Sequence, residues 1–195
     1  MNQTLIDIAN DNKGFVTSKQ AIEAGVQAMA LTRAVRDGEL ERIGRGIYCT
    51  PETWEDEYFV ASQRFGRGIL SHVTALSLVD LIDRTPERIT MTFPRGYNTS
   101  KVAKAGIIPR TVSKSLLELG ATTVATPYGN DVRCYDAERS LCDMMRGVSS
   151  PDAQVLNPAM KSYLYSRKRD IAKLLNYAER LGVKDKVRKY VEVLL

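Results

Sequence analysis

The chain has 195 residues, 44% hydrophobic and 26% charged, with a formal net charge of +5 and an isoelectric point near 9.1. That balance excludes a disordered or fibrous chain and predicts one large or two small domains, and no run approaches the roughly 18 apolar residues of a membrane helix. The opening MNQTLIDIANDN lacks the basic run and apolar core of a secretory signal, and Cys49, Cys134 and Cys142 are odd in number without a CxxC pair. The expectation is a cytoplasmic protein with reduced thiols.

Leu5, Ile8 and Ala9 recur at helical spacing, so a first helix is expected over Met1–Asn10. Gly14, Phe15 and Val16 read as an apolar break. Thr17 or Ser18 is placed to cap a second helix, which Gly25 ends. A third helix is expected from Gln27 to Arg36, stopped by Asp37-Gly38. Leu40–Ile43 and Ile47–Cys49 then flank the turn Gly44-Arg45-Gly46, as the two strands of a ribbon do. Three helices followed by a β-hairpin is the order of a winged helix-turn-helix.

At 100° per residue, Leu31, Ala34 and Val35 share one face of the third helix and Met29, Thr32, Arg33 and Arg36 the opposite one. Guanidinium forks match the guanine edge and hydroxyls reach bases or phosphate, so Thr32, Arg33 and Arg36 are candidates for the major groove. Gln27, Ala28 and Met29 stand at the leading end. Arg42 and Arg45 on the wing are candidates for the DNA backbone, and Lys19 for orienting the second helix. Charge is balanced over residues 1–50, so DNA binding here rests on placed arginines rather than a general positive field. The same features suit a solvated helix surface, and winged helices also serve as protein-interaction modules.

Thr50-Pro51 ends the wing, and a domain boundary is expected at residues 50–53, giving domains 1–50 and 53–195. Trp54–Phe65 reads as a helix with an acidic start, assigned to the second domain or to a connector. Ile69-Leu70, a helix from Val73 to Leu81 capped by Ser71, and Ile89–Phe93 give strand, helix, strand. A turn at 94–98, a strand at Ile107–Val112 and a hairpin of Thr122–Thr126 with Asp131–Tyr135 around Pro127-Tyr128-Gly129-Asn130 follow. Asp136 caps a helix running through Arg146, and from Asp152 the pattern is helical, with a break at Ser166 and a last apolar stripe after Gly182. The expected class is α+β: a winged helix-turn-helix followed by a mixed α/β domain that ends in a helical cluster.

Residues 111–195 carry a surplus of four basic residues. Arg169, Lys173 and Arg180 are expected on one face of the penultimate helix, either a solvated stripe or a second phosphate-contacting surface. His72, the lone histidine, sits beside Ser71 without a triad, which favours a structural hydrogen bond. Asp131, Asp136, Glu138 and Asp143 admit a nuclease-like cluster, but Asp136, Glu138 and Asp143 also suit a helix cap and its first exposed turns, which is the favoured reading. There is no GxxxxGK[ST] loop and no metal-spaced Cys/His set, so neither an enzyme nor a cofactor or metal is expected.

The run GFVTSKQAIEAGVQAMALTRAVRDGELERIGRGIY resembles the N-terminal winged-helix domain of AbiEi antitoxins of type IV toxin–antitoxin systems. The similarity continues through ILSHVTALSLVDLIDRTPERITMTFPRGYN, TPYGNDVRCYDAERSLCDMMRG and the C-terminal helices. The resemblance implies a repressor that binds inverted repeats in its own operon promoter as two protomers. It also implies an antitoxin, active in abortive infection and phage defence, that counters a nucleotidyltransferase-like toxin without a stable complex. The rival reading is a module that neutralises the toxin by direct binding.

Overall fold

Leu5 and Ala9, one turn apart and both buried, form the inner seam of α1 (Gln3–Asp11), whose first turn is capped by the Asn2 side chain accepting from the Thr4 amide. The computed structural model describes residues 2–147 and 152–194, so Met1 of the expected first helix lies outside the described residues. Phe15 and Val16, expected as part of a break, form with Thr17 a strand, β1 (Phe15–Thr17). Thr17 then caps α2 (Ser18–Glu23) through a reciprocal box with Gln20. The third helix, α3 (Ala28–Arg36), buries Leu31 and Ala34.

The wing is β2 (Glu41–Gly44) and β3 (Ile47–Cys49), with a register shift between Arg42 and Gly44. Its turn carries Gly46 at φ +73°, a left-handed conformation that a side chain resists. β1 pairs antiparallel with β3, Phe15 opposite Cys49 and Thr17 opposite Ile47, so the ribbon is a three-stranded sheet in the order β1-β3-β2. Three residues that are all buried show no alternation. Only their partner strand defines them.

α4 (Glu57–Arg64) begins later than the sequence predicts: Asp56 is its cap and Trp54 stays outside it, exposed. The helix belongs with the residues before it. Phe59 packs its ring on Phe15 at 4.7 Å. The Asp56 carboxylate, wholly buried, accepts from the Phe59 amide at 3.0 Å, the Thr126 hydroxyl at 2.6 Å and the Asn130 amide at 2.8 Å. By packing, the first unit runs to Gly66 and includes Thr126–Asn130. The boundary expected at 50–53 thus falls inside this unit, because the Phe15–Phe59 contact joins residues on both sides of that position.

The second unit, Arg67–Ala125 with Asp131–Leu195, opens with β4 (Ile69–Leu70), α5 (His72–Leu78), β5 (Thr90–Pro94) and α6 (Ser100–Lys104). Next come β6 (Ile108–Val112), α7 (Lys114–Leu117), β7 (Ala121–Ala125) and β8 (Asp131–Tyr135). Its sheet has the order β6-β5-β4-β8-β7, with β5–β6 and β4–β8 parallel and the other neighbours antiparallel. The unit closes with α8 (Ala137–Met145), α9 (Ala153–Tyr165), α10 (Ile171–Arg180) and α11 (Lys184–Leu194). Leu141, Met145, Leu156, Met160, Leu164, Leu174, Ala178 and Val187 make the common core of these helices. The short α6 and α7 were not anticipated, being too brief to show a helical period.

Candidate nucleic-acid interface

Leu31 and Ala34 anchor α3 to the core formed by Leu5, Ala9, Val16, Ala21, Val26 and Leu40. Burying that stripe turns the other one outward by helical geometry alone. Met29, Thr32, Arg33 and Arg36 are accordingly exposed, as are Gln27 and Ala28 at the start of the helix. Met29 is 73% accessible, far more than a methionine kept for packing. Arg33 meets no carboxylate among the described residues, whereas Arg36 is held by Asp37 at 2.9 Å.

On the wing, Arg42 is exposed, with its Nε donating to the Gly44 carbonyl at 3.3 Å, and Arg45 is exposed at the turn. The Ser18 amide donates to the Gly46 carbonyl at 2.8 Å, which ties the wing turn to the first residue of α2. Sequence reasoning missed this tether, since it follows from β1 pairing with β3. Lys19 is exposed and only 3.8 Å from Glu23, a loose surface pair. All of these predicted residues are thus on the surface of one unit, and the wing is fixed to the helix-turn-helix.

The second basic set does not come together as expected. Arg169 precedes α10 rather than lying on it, and donates to the Leu164 carbonyl at 2.7 Å. Lys173 binds Asp136 and Glu138, each at 3.0 Å. Burial pulls the Lys173 ammonium down, but its hydrogen bonds to Asp136 and Glu138 and their charge push it up on balance. Arg180 is exposed at the end of α10. The face expected to be positive is therefore partly neutralised where it meets α8.

Three of the carboxylates considered for a nuclease are occupied in the same way. Asp136 caps α8 through the Arg139 amide, and Glu138 lies 2.9 Å from the Tyr163 hydroxyl. Asp143 accepts from Nε of the fully buried Arg139, whose Nη1 donates to the Leu116 and Leu119 carbonyls at 2.7 Å, while its Nη2 is buried with no hydrogen-bond partner among the described residues. Asp131 is on the exposed side of β8. Burial pushes the Cys134 and Cys142 thiols up to about 12, the behaviour of packed rather than reactive sulfur. No group of three His, Cys, Asp or Glu side chains that could hold a metal ion occurs among the described residues, and no helix there is long and apolar enough to cross a membrane.

Fold and surface together define a winged helix-turn-helix unit followed by a mixed α/β unit with a helical end, the α+β class read from the sequence. Residues 3–51 match the AbiEi_4 family, described as "Transcriptional regulator, AbiEi antitoxin". Among solved structures, the chain is similar to the RV2827C protein from Mycobacterium tuberculosis. The two are 15% identical with a TM-score of 0.56, over 97% of this chain and 78% of that one, a likeness of fold. No curated protein matches the chain.

Proposed function

We propose that this protein is an antitoxin and a repressor that binds inverted repeats in its own operon promoter as two protomers. In this reading Thr32, Arg33 and Arg36 read base edges in the major groove, with Gln27, Ala28 and Met29 at the approach. Arg42 and Arg45 hold the backbone through the wing, and Lys19 orients α2. The observation that carries it is the outward face of α3, where Met29, Thr32, Arg33 and Arg36 stand together opposite the buried Leu31 and Ala34. A palindromic site needs two copies of the unit, related by a two-fold axis.

The test is a mobility-shift titration with the DNA upstream of its own reading frame. The double variant Arg33→Ala/Arg36→Ala should lose sequence-specific binding while keeping its fold. Wild-type affinity in that variant would overturn the assignment. The antitoxin role is countering a nucleotidyltransferase-like toxin without a stable complex. A stoichiometric complex with such a toxin that survives moderate salt would replace this reading with neutralisation by direct binding.

A further inference from the structure

The second unit contains a cleft of about 630 Å³ that the repressor reading does not use. It lies against β5 and β6, the start of α5 and the end of α8, and its volume falls within the roughly 300–1,000 Å³ of small-molecule sites. Val73, Ile108, Pro109 and Met144 supply apolar wall. Thr90, Thr92, Thr99 and Thr111 supply hydroxyls. The charged lining is Arg110, Arg146, Asp143 and Asp152, with His72 beside them.

These charges do not cancel evenly. Asp143 is 2% exposed and already bound by Arg139, with Arg146 at 3.8 Å. Asp152 is exposed at the rim and caps the Gln154 amide. The Arg110 side chain has no hydrogen-bond or ion-pair partner among the described residues.

His72 is built into this cleft. Its backbone is left-handed at φ +54°, a conformation that a non-glycine residue holds only when its surroundings require it. Ser71, wholly buried, accepts from the Thr92 hydroxyl at 2.8 Å and lies 3.1 Å from His72 Nδ1. In the tautomer where the Ser71 hydroxyl donates to Nδ1, the nitrogen left to a ligand is Nε2 carrying its hydrogen. Burial, with Arg110, Arg139 and Arg146 close enough to repel a proton, keeps the ring neutral by lowering its pKa to about 3. Of these three, Arg110 and Arg146 line the cleft and would attract an anion there.

We propose that this cleft binds a small organic phosphate, its phosphate group received by His72, Arg110 and Arg146 and its organic body lying against the apolar wall. Two guanidinium forks, an imidazole N–H and the threonine hydroxyls provide more donors than a carboxylate can accept, and they suit the several oxygens of a phosphate. The volume exceeds what an inorganic anion fills.

His72 is the chain's one histidine, so its imidazole gives a single Cε1–H signal in a proton–carbon correlation spectrum. The full chain is titrated with inorganic phosphate, glycerol phosphate, a nucleoside monophosphate and the matching neutral nucleoside. The phosphate esters should move the His72 signal saturably, at lower concentration than inorganic phosphate, and the nucleoside should leave it in place. Arg110→Gln, at an exposed position, should raise the midpoint about tenfold, a loss of one charge-assisted contact, and Arg110→Lys should recover part of it. The same Arg110→Gln protein should still shift promoter DNA, which separates failure here from failure of the repressor reading. No saturable shift at millimolar ester, an equal response to the nucleoside or to inorganic phosphate, or an unchanged midpoint in Arg110→Gln would overturn the proposal.

Discussion

A surface arginine can read DNA only with donors that nothing else has claimed, and the arginines of α3 differ in this. Arg33 has no carboxylate among the described residues, while Arg36 must give up its 2.9 Å contact with the exposed Asp37. An exposed pair costs little to part, so both remain available. If each contacts a base, Arg33→Ala and Arg36→Ala should each cost ~1–3 kcal/mol of specific binding. Arg45→Ala on the wing should instead weaken binding to all sequences alike and reduce the salt slope by about one. His72 allows a prediction about pH. Its folded pKa of about 3 lies below the 6.5 of the free side chain, so the unfolded chain binds the extra proton. The contribution of the neutral ring is complete above pH 6.5 and is lost as pH falls toward 3. Urea unfolding at pH 7 and pH 5 should show this loss, and His72→Asn, which tolerates the left-handed backbone, should flatten it.

At the scale of elements, α8 depends on an ion pair that periodicity does not reveal. Arg139 and Asp143, four residues apart, are both buried, and the guanidinium also lies 4.2 Å above the Tyr135 ring. Burial pushes the Asp143 carboxyl up against the pull of Arg139. Gly120, at φ +74°, leaves the space beside this pair: a Cβ there would stand 2.6 Å from Arg139 Cβ. Removing one partner strands the other charge, so Arg139→Ala should destabilise the unit by about 3–5 kcal/mol in urea unfolding. Replacing both, as Arg139→Met/Asp143→Leu, should cost much less than the single changes predict. Equal costs for the single and double variants would mean that packing, not the pairing, sets the value.

Across the whole molecule, the first unit is larger than the family match over residues 3–51, because α4 and Thr126–Asn130 complete it. Asp56 is the link, with donors from Phe59, Thr126 and Asn130 converging on one buried carboxylate. Asp56→Ala leaves those donors without a partner and should lower the unit's stability by roughly 1–3 kcal/mol for each that stays buried. A fragment ending at residue 52 should therefore unfold at lower urea than residues 1–66, read by circular dichroism. Identical midpoints would remove α4 from the account of this unit.

The winged order, the outward stripe of α3 and the hairpin at Gly44–Gly46 were all legible along the chain. Each is a local matter of helical period, caps and glycine turns, and the placement of Leu31 and Ala34 inward puts Arg33 and Arg36 outward without further information. What local pattern could not carry depends on partners distant in sequence. β1 is a strand only because β3 pairs with it, and Trp54 lies outside α4 because Asp56 supplies the cap. Lys173 is half-buried against α8 rather than free on a basic face, because Asp136 and Glu138 come to it from another helix. The His72 cleft exists only where β5, β6, α5 and α8 converge. Short-range hydrogen bonds and periodicity are written in neighbouring residues, whereas a cleft or a buried charge pair acquires its chemistry only when folding removes water from groups far apart in the chain.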